Sequence, residues 1–321
     1  MVKIKKFSGK DKEFKELVKI ANIVNHDSVS HIDDAKNSWK NRDKNLVSNK
    51  LLMYNNNTVV GNINYYQGRD GNNRTAFYTL NLDPDYNNNG YRKLLYNKML
   101  EDIKIFNCNK LLTTIYEHPN YKQNKRLLIK QNFKLIQTNR EYSCDISKIN
   151  LIKYKPLIKR LESEGIKLYD SKYEMIDWPN HYKKLEELCW MYGQDIPIPK
   201  GIDREREPFD EFLKDQADYE KNYYATEIVA VKNNKYIAST DLEFYPKAEP
   251  HKAWTGSLGV LKKYRRKGIA TAIKIKAFEE LIKKGITEVR TDNELNNPMY
   301  KINVALGFKP VPYSLDYAKD I

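Results

Sequence analysis

Apolar and polar positions alternate along this chain in a way that predicts two successive αβ blocks. In the first block, Val2 to Phe7 reads as a strand. Asp11 to Asn25 reads as a helix whose Phe14, Leu17, Val18 and Ala21 share one face. Ile32 to Asn41 predicts a second helix. Leu51 to Tyr54 and Val59 to Tyr65 flank Asn55-Asn56-Asn57 as a hairpin, because asparagine tolerates positive φ and bonds its own backbone. Ala76 to Leu82 is a strand, Asp83 to Gly90 a polar loop, Tyr91 to Phe106 a helix and Leu111 to Tyr116 a strand. Asn120 to Lys130 is helical, and Phe133 to Gln137 and Tyr142 to Ile146 are two closing strands.

A linking helix over Leu151 to Glu164 ends at Gly165, which suits a left-handed C-terminal cap. The order then repeats. Ile166 to Tyr169 is a strand, and Tyr182 to Met191 and Phe209 to Lys214 are helical. Glu227 to Val231, Asn233-Asn234 and Tyr236 to Phe244 echo the first hairpin. Trp254 to Leu261 is a strand, Ile269 to Lys284 a helix, Glu288 to Thr291 a strand and Pro298 to Leu306 a helix. The pattern implies an α/β fold, a mixed sheet covered by helices in each half. The halves divide into residues 1–148 and 149–321.

Composition narrows the class. The 321 residues are 40% hydrophobic and 31% charged, and 24 Tyr, 10 Phe and 4 Trp exclude a disordered chain. No window offers the run of about 20 apolar residues that spans a bilayer, and the Lys/Glu-dense start is no targeting segment. Cys108, Cys144 and Cys189 make neither a disulfide framework nor a metal pattern, in keeping with a cytoplasmic protein. The five histidines, His26, His31, His118, His181 and His251, show no metal spacing, so no metal is expected. The formal net charge is +14, and residues 1–150 hold 26 basic against 15 acidic side chains. Such a half attracts a nucleic acid, an anionic lipid or an anionic cofactor, or simply presents a solubilising lysine surface. No interleaved basic-aromatic motif supports the nucleic acid.

Chemistry concentrates in Gly259 to Ala270, where a strand runs through a basic loop into a long helix. Gly268 and Ala270 are small, and successive N–H groups at a helix N-terminus suit a phosphate. The same residues also read as an ordinary solvated basic turn. Neither the Gly-x4-Gly-Lys-Ser/Thr nor the Gly-x-Gly-x-x-Gly spacing is present.

Arg265-x-x-Gly268-x-Ala270 resembles the pyrophosphate loop of the GNAT acyl-CoA N-acyltransferases. The later run Thr291-x-Asn293-x-x-Asn296-x-x-Met299-x-x-Ile302-Asn303-x-x-Leu306-Gly307-Phe308 resembles the same family. Together they are similar to the tandem subgroup that includes mycothiol synthase. The resemblance implies two tandem GNAT domains and an acetyl-CoA donor. It implies direct attack by the primary amine of a small, conceivably cationic acceptor on the thioester. It places cofactor contacts at Leu258, Val260, Arg265, Arg266, Lys267, Gly268, Ile269, Ala270, Thr271 and Asn293, with Lys263 as a further cation. The family tyrosine that protonates the departing thiolate falls at Asn303, and Tyr300 stands one turn earlier, as an acid or as a packing residue.

Asp241 and Glu243 share one strand face, with Glu227 a rival on the preceding strand; each is a candidate base or a surface carboxylate. Asp203, Glu205, Glu207, Asp210 and Glu211 form an acidic cluster that Arg204 and Arg206 offset. In the first half, Pro84 to Arg92 aligns with the loop, but Asn87 replaces its Arg or Gln and Arg92 its small residue. Asn132-Phe133 stands for Gly-Phe, and the tyrosine position is Leu128. One active site, in the second half, is therefore expected. The alternatives are a catalytically silent CoA-binding or interaction module and, behind it, a nucleic-acid binder. Partners reduce to a small amine acceptor without a membrane, as monomer or homodimer.

Overall fold

The computed structural model describes residues 2–25, 27–68, 74–86, 90–116, 122–199, 202 and 204–321, and of Pro312 the main chain. The chain forms two compact units. Unit 1 is Met1–Asn139, Ile198–Glu205 and Pro312–Ile321; unit 2 is Arg140–Pro197 and Arg206–Val311. The elements are β1 (Val2–Lys6), α1 (Asp11–Val24), α2 (Ile32–Asn41), β2 (Ser48–Asn55), β3 (Thr58–Gln67), β4 (Thr75–Leu82), α3 (Tyr91–Ile103), β5 (Lys110–Tyr116), α4 (Lys122–Lys130) and β6 (Lys134–Asp145). There follow α5 (Lys155–Ser163), β7 (Ile166–Asp170), α6 (Ser171–Glu174), α7 (His181–Gly193), α8 (Phe209–Asn222), β8 (Tyr224–Lys232) and β9 (Lys235–Phe244). The chain closes with β10 (Lys252–Val260), α9 (Ile269–Lys283), β11 (Glu288–Glu294), α10 (Tyr300–Ala305) and β12 (Lys309–Asp320). Among the described residues, no helix is long and apolar enough to cross a membrane.

In unit 1 the strand order is β1-β2-β3-β4-β5-β12. The Glu13 carboxylate accepts from the Ser8 N–H at 2.8 Å and starts α1, whose Phe14, Leu17 and Ile20 pack on Leu52 and Val59. On the opposite face Leu95, Tyr96 and Met99 of α3 pack on Tyr78, Leu80 and Leu82 of β4. The parallel pair β4–β5 holds only from Thr75↔Lys110 to Phe77↔Leu112, and both strands continue unpaired with each other beyond it.

In unit 2 the order is β6-β11-β10-β9-β8-β7. Asn233 (φ 49°) and Asn234 (φ 59°) close the β8–β9 hairpin between Lys232 and Lys235, the double positive φ of a type I′ turn. Gly165, at φ 79°, ends the turn after α5. Ile273, Phe278 and Leu281 of α9 pack on one face of the sheet, against Ala238, Leu242 and Val289. Leu185, Leu188 and Tyr192 of α7 pack on the other, against Val229 and Val231. The parallel pair β10–β11 again stops early, after Lys252↔Glu288, Ala253↔Val289 and Trp254↔Arg290.

Several elements differ from the sequence pattern. The two closing strands are one, β6 (Lys134–Asp145), which begins in unit 1 and ends in unit 2. The linking segment opens with a 3₁₀ turn at Leu151–Tyr154 before α5, and α8 runs on to Asn222. Nothing was expected beyond Leu306, because Pro310 and Pro312 interrupt the strand signal. There β12 returns the chain to unit 1, where Ser314↔Tyr116 through Asp320↔Lys110 complete the sheet against β5.

Candidate active site in unit 2

The basic loop is built for an anion. After β10 a 3₁₀ turn at Lys262–Tyr264 leads to Arg266 (φ 63°) and Gly268 (φ 80°), the latter capping α9. The first intrahelical bond is Ala272 N–H to Gly268 O at 3.0 Å, so the N–H groups of Ile269, Ala270 and Thr271 have no acceptor within the helix. Ile269 points into the core, while Ala270 adds only a methyl group at the helix start. Gly268 is required by its φ and by α5: a Cβ there would stand 2.8 Å from Leu157 Cδ1. Arg160 of α5 also donates to Lys267 O at 2.9 Å.

The loop cations divide. Arg265 is engaged within the protein: its Nε donates to Val260 O at 2.8 Å and its Nη2 to Asp195 Oδ2 at 2.5 Å. Lys262 joins the same carboxylate at 2.8 Å. The expected phosphate contact at Arg265 is thus replaced by a strut between the loop and the end of α7. Lys263, Arg266 and Lys267 make no ion pair among the described residues and face solvent. These residues and the free N–H groups fit a pyrophosphate.

The diverging strand supplies the next wall. Leu261 N–H donates to Ile237 O on β9. By antiparallel alternation, the main-chain groups of Leu258 and Val260 face the other way, toward the gap beside β11. Val260 O is the one taken by Arg265. Gly259 carries the Tyr192 ring on its backbone, since a Cβ there would lie 2.0 Å from that ring. The Tyr192 hydroxyl lies 2.9 Å from Ser257 Oγ and accepts from Ser239 Oγ at 3.2 Å.

Ser257 leads to the carboxylates. A bulge at Gly256 shifts the β9–β10 register, and Ser257 then faces Asp241. Its N–H donates to Asp241 Oδ1 at 3.0 Å, and its hydroxyl donates to the same oxygen. Asp241 is cross-strand partner to Glu227, which is buried and accepts from Gln216 Nε2 at 3.3 Å. Burial pushes Glu227 up to about 8, with the Asp241 charge adding to it. Burial likewise pushes Asp241 up to about 6; the Ser257 bonds partly offset this and the Glu243 charge adds to it. Glu243 itself sits near the strand end, half-buried, and accepts from the Tyr245 hydroxyl at 2.6 Å. The structure therefore brings together Glu227, Asp241, Ser257 and Tyr192. The sequence pattern alone pointed to neither Ser257 nor Tyr192; the glycine at 259, beside a buried aromatic, was the available signal.

On the far side, Asn303 is buried on α10 and donates to Asn293 Oδ1 at 2.7 Å, so these two candidates meet. Tyr300 packs against the α9 core cluster, in keeping with the packing alternative. Arg206 is paired with Glu186 at 2.7 and 2.6 Å, and Lys214 with Glu211 at 3.3 Å, which disperses the acidic cluster. Asp203 lies outside the described residues, as do Asn87, His26 and His118. His181 is buried between the Ser171 and Tyr236 hydroxyls at 3.0 and 2.9 Å, and burial pulls it down to about 4. Among the described residues, no group of three or more His, Cys, Asp or Glu is placed to share a metal ion.

The sequence matches the model of the acetyltransferase (GNAT) family over residues 14–127 and again over 184–308. The chain belongs to that family. It is an acetyltransferase built of two tandem GNAT units, and acetyl-CoA-dependent transfer is the reaction of the family. Solved structures share the whole fold at low identity. A tandem GNAT protein from the clavulanic acid biosynthesis pathway superposes with a TM-score of 0.78 at 14% identity, covering 100% of this chain and 98% of that one. A GCN5-related N-acetyltransferase from Sphaerobacter thermophilus gives 0.71 at 12% identity, covering 99% and 95%. A glucosamine N-acetyltransferase region of a fungal multi-domain β-N-acetylglucosaminidase gives 0.72 at 14%, covering 99% of this chain and 38% of that one. No curated protein sequence matches the chain.

Proposed function

We propose that unit 2 transfers an acetyl group from acetyl-CoA to the primary amine of a small acceptor, with Asp241 taking the proton. The observation that carries this reading is the Asp241–Ser257 pair, set on the stretch of β10 that has parted from β11. The N–H groups of Ile269 to Thr271, with Arg266 and Lys267, would hold the pyrophosphate, and the main chain at Leu258 the neutral arm. The bound donor supplies a reactive thioester. At neutral pH Asp241, at about 6, is mostly ionised while Glu227, at about 8, is mostly protonated. The pair then carries close to one negative charge, enough to attract a cationic amine and to accept its proton near working pH. Asn303 offers an amide and no acidic proton, so it serves as an orienting group for Asn293 and the thiolate leaves without a tyrosine acid.

The spacing from Thr291 to Phe308 supports a place beside the mycothiol-synthase-like tandem enzymes, and one solved relative is a glucosamine N-acetyltransferase region. Amino sugars therefore belong in the acceptor panel beside polyamines and aminoglycosides. The test is thiol release from acetyl-CoA with that panel, in wild type and Asp241→Asn. Turnover in the wild type is expected to rise with pH through about 6 and to lose that limb, and about a hundredfold in rate, in the variant. CoA affinity is expected to hold. A variant that turns over normally would remove Asp241 from the chemistry.

A further inference from the structure

Two hydrogen-bond chains end on the Glu227–Asp241 pair, and they differ in kind. The chain to Asp241 runs one way. Ser257 gives both its hydroxyl proton and its N–H to Asp241 Oδ1, so its Oγ accepts from the Tyr192 hydroxyl at 2.9 Å. Tyr192 in turn accepts from Ser239 Oγ at 3.2 Å. A backbone N–H can only donate, so this chain serves an ionised carboxylate.

The chain to Glu227 passes through a ring that can serve in either sense. Ser171, the first residue of α6, meets the Glu227 carboxyl with its hydroxyl. Behind it, Ser171 Oγ lies 3.0 Å from His181 Nε2, and His181 Nδ1 lies 2.9 Å from the Tyr236 hydroxyl. Ser171, His181 and Tyr236 are 0%, 3% and 6% exposed, so each is held to satisfy the next. Burial, with the Lys184 charge adding to it, keeps the imidazole neutral at ordinary pH, and a neutral ring carries one N–H.

Counting protons leaves two arrangements. When Glu227 is ionised it accepts from Ser171, Ser171 accepts from the Nε2–H, and the bare Nδ1 accepts from Tyr236. When Glu227 is protonated its O–H donates to Ser171, Ser171 donates to the bare Nε2, and the Nδ1–H donates to the Tyr236 oxygen. Loss of the Glu227 proton converts the second into the first. That proton moves to Ser171, the Ser171 proton to Nε2 and the Nδ1 proton to Tyr236, whose own proton leaves to water. No buried cation forms at any point.

We infer that His181 is a positioning residue of the carboxylate pair: its ring exchanges tautomers with the ionisation of Glu227, so that Glu227 and not Asp241 keeps the pair's one proton. The chain is a property of the resting protein, and its bearing on catalysis rests on the reading that Asp241 takes the amine proton. The charges that face Glu227 are the Asp241 carboxylate on β9 and the Glu220 carboxylate on α8. The phenols of Tyr182, Tyr219, Tyr224 and Tyr236 and the Cys189 thiol, also within its field, are all pushed up by burial and stay neutral. Glu227 is therefore the group whose titration the ring follows.

The experiment is 15N NMR of the full chain labelled at histidine, from pH 6 to 10, with His181→Gln to assign the ring. Bare and protonated ring nitrogens resonate far apart, so the tautomer is read directly. His181 is expected to pass from Nδ1–H to Nε2–H with a midpoint at about 8, where Glu227 titrates. Glu227→Gln removes the titrating group and should hold one tautomer throughout. Ser171→Ala cuts the chain and should do the same, which serves where Glu227→Gln fails to fold. An unchanging tautomer in the wild type, a change that persists in Glu227→Gln, or protonation of both nitrogens in this range would each overturn the assignment. The spectra need no substrate. A tautomer that follows Glu227 supports the chain even where Asp241→Asn turns over normally, and in that case only the reaction assigned to Asp241 falls.

Discussion

Replacing Glu227 by Gln should stabilise the protein at alkaline pH while leaving acid stability nearly unchanged. The carboxyl is buried at the centre of unit 2, beside Asp241, and its affinity for a proton is raised from the ordinary 4.5 to about 8. Between those values the folded chain keeps a proton that the unfolded chain has released. Stability therefore falls as pH rises through this window, and the loss is complete once pH exceeds the folded value. Each tenfold change in proton affinity corresponds to about 1.4 kcal/mol, so the full effect is on the order of 5 kcal/mol. Glutamine has nearly the same shape, retains a carbonyl to accept from Gln216, and carries no charge to desolvate. The stability difference, variant minus wild type, should be near zero at about pH 4, grow through the window and level off by about pH 9. Urea titrations across that range measure it directly. Because Asp241 contributes to the shift, the gain should shrink in an Asp241→Asn background. A difference that does not vary with pH, or a variant less stable than wild type at alkaline pH, would refute the buried-carboxyl argument.

Removing the chain after Val311 should unfold unit 1, since Leu315, Tyr317 and Ala318 of β12 are buried in its core. Their loss is about 5 kcal/mol, comparable with the stability of a whole domain. Circular dichroism of residues 1–148 alone, against the same segment with residues 309–321 fused behind it, checks this, and a folded first fragment would contradict it. Ala270→Arg should lower CoA affinity of unit 2 at least about tenfold without loss of folding, by copying the arrangement of Arg92. Calorimetry reads this, and unchanged affinity would mean that Ala270 does not front the phosphates. Tyr300→Phe should leave turnover within about twofold of wild type, because Tyr300 packs on the α9 core. A loss of an alkaline ionisation in its pH profile would instead restore it as the acid.

The repeated αβ order, the paired asparagine turn and the loop before α9 were legible because each is a local signal. Asn233-Asn234 needs only its own backbone to make its turn, and Gly268 only its own φ. The roles of the charged residues were less legible, because burial and register decide them. Alternation placed Asp241 and Glu243 on one face, but the bulge at Gly256 gives Ser257 to Asp241, and the β8–β9 register sets Glu227 opposite it. Arg265 belonged to a motif whose charge suited a phosphate, yet Asp195, seventy residues away, claims it. The last strand was hidden by its prolines, and its place in unit 1 could be seen only once its pairing with β5 was known.

The two units keep one architecture and differ at the helix start beside the gap. Each has a parallel pair that parts after three residue pairs, a glycine at positive φ and a helix that starts beside the gap. In unit 2 a methyl group at Ala270 leaves three N–H groups open, and the exposed Lys263, Arg266 and Lys267 supply positive charge beside them. In unit 1 Arg92 stands at the matching position and its guanidinium donates to Asn124 Oδ1 on α4. A polyanion needs both an open helix start and counter-charge. The substitution at one helical position thus changes the helix start, while the gap itself, which depends on strand divergence, is kept in both halves.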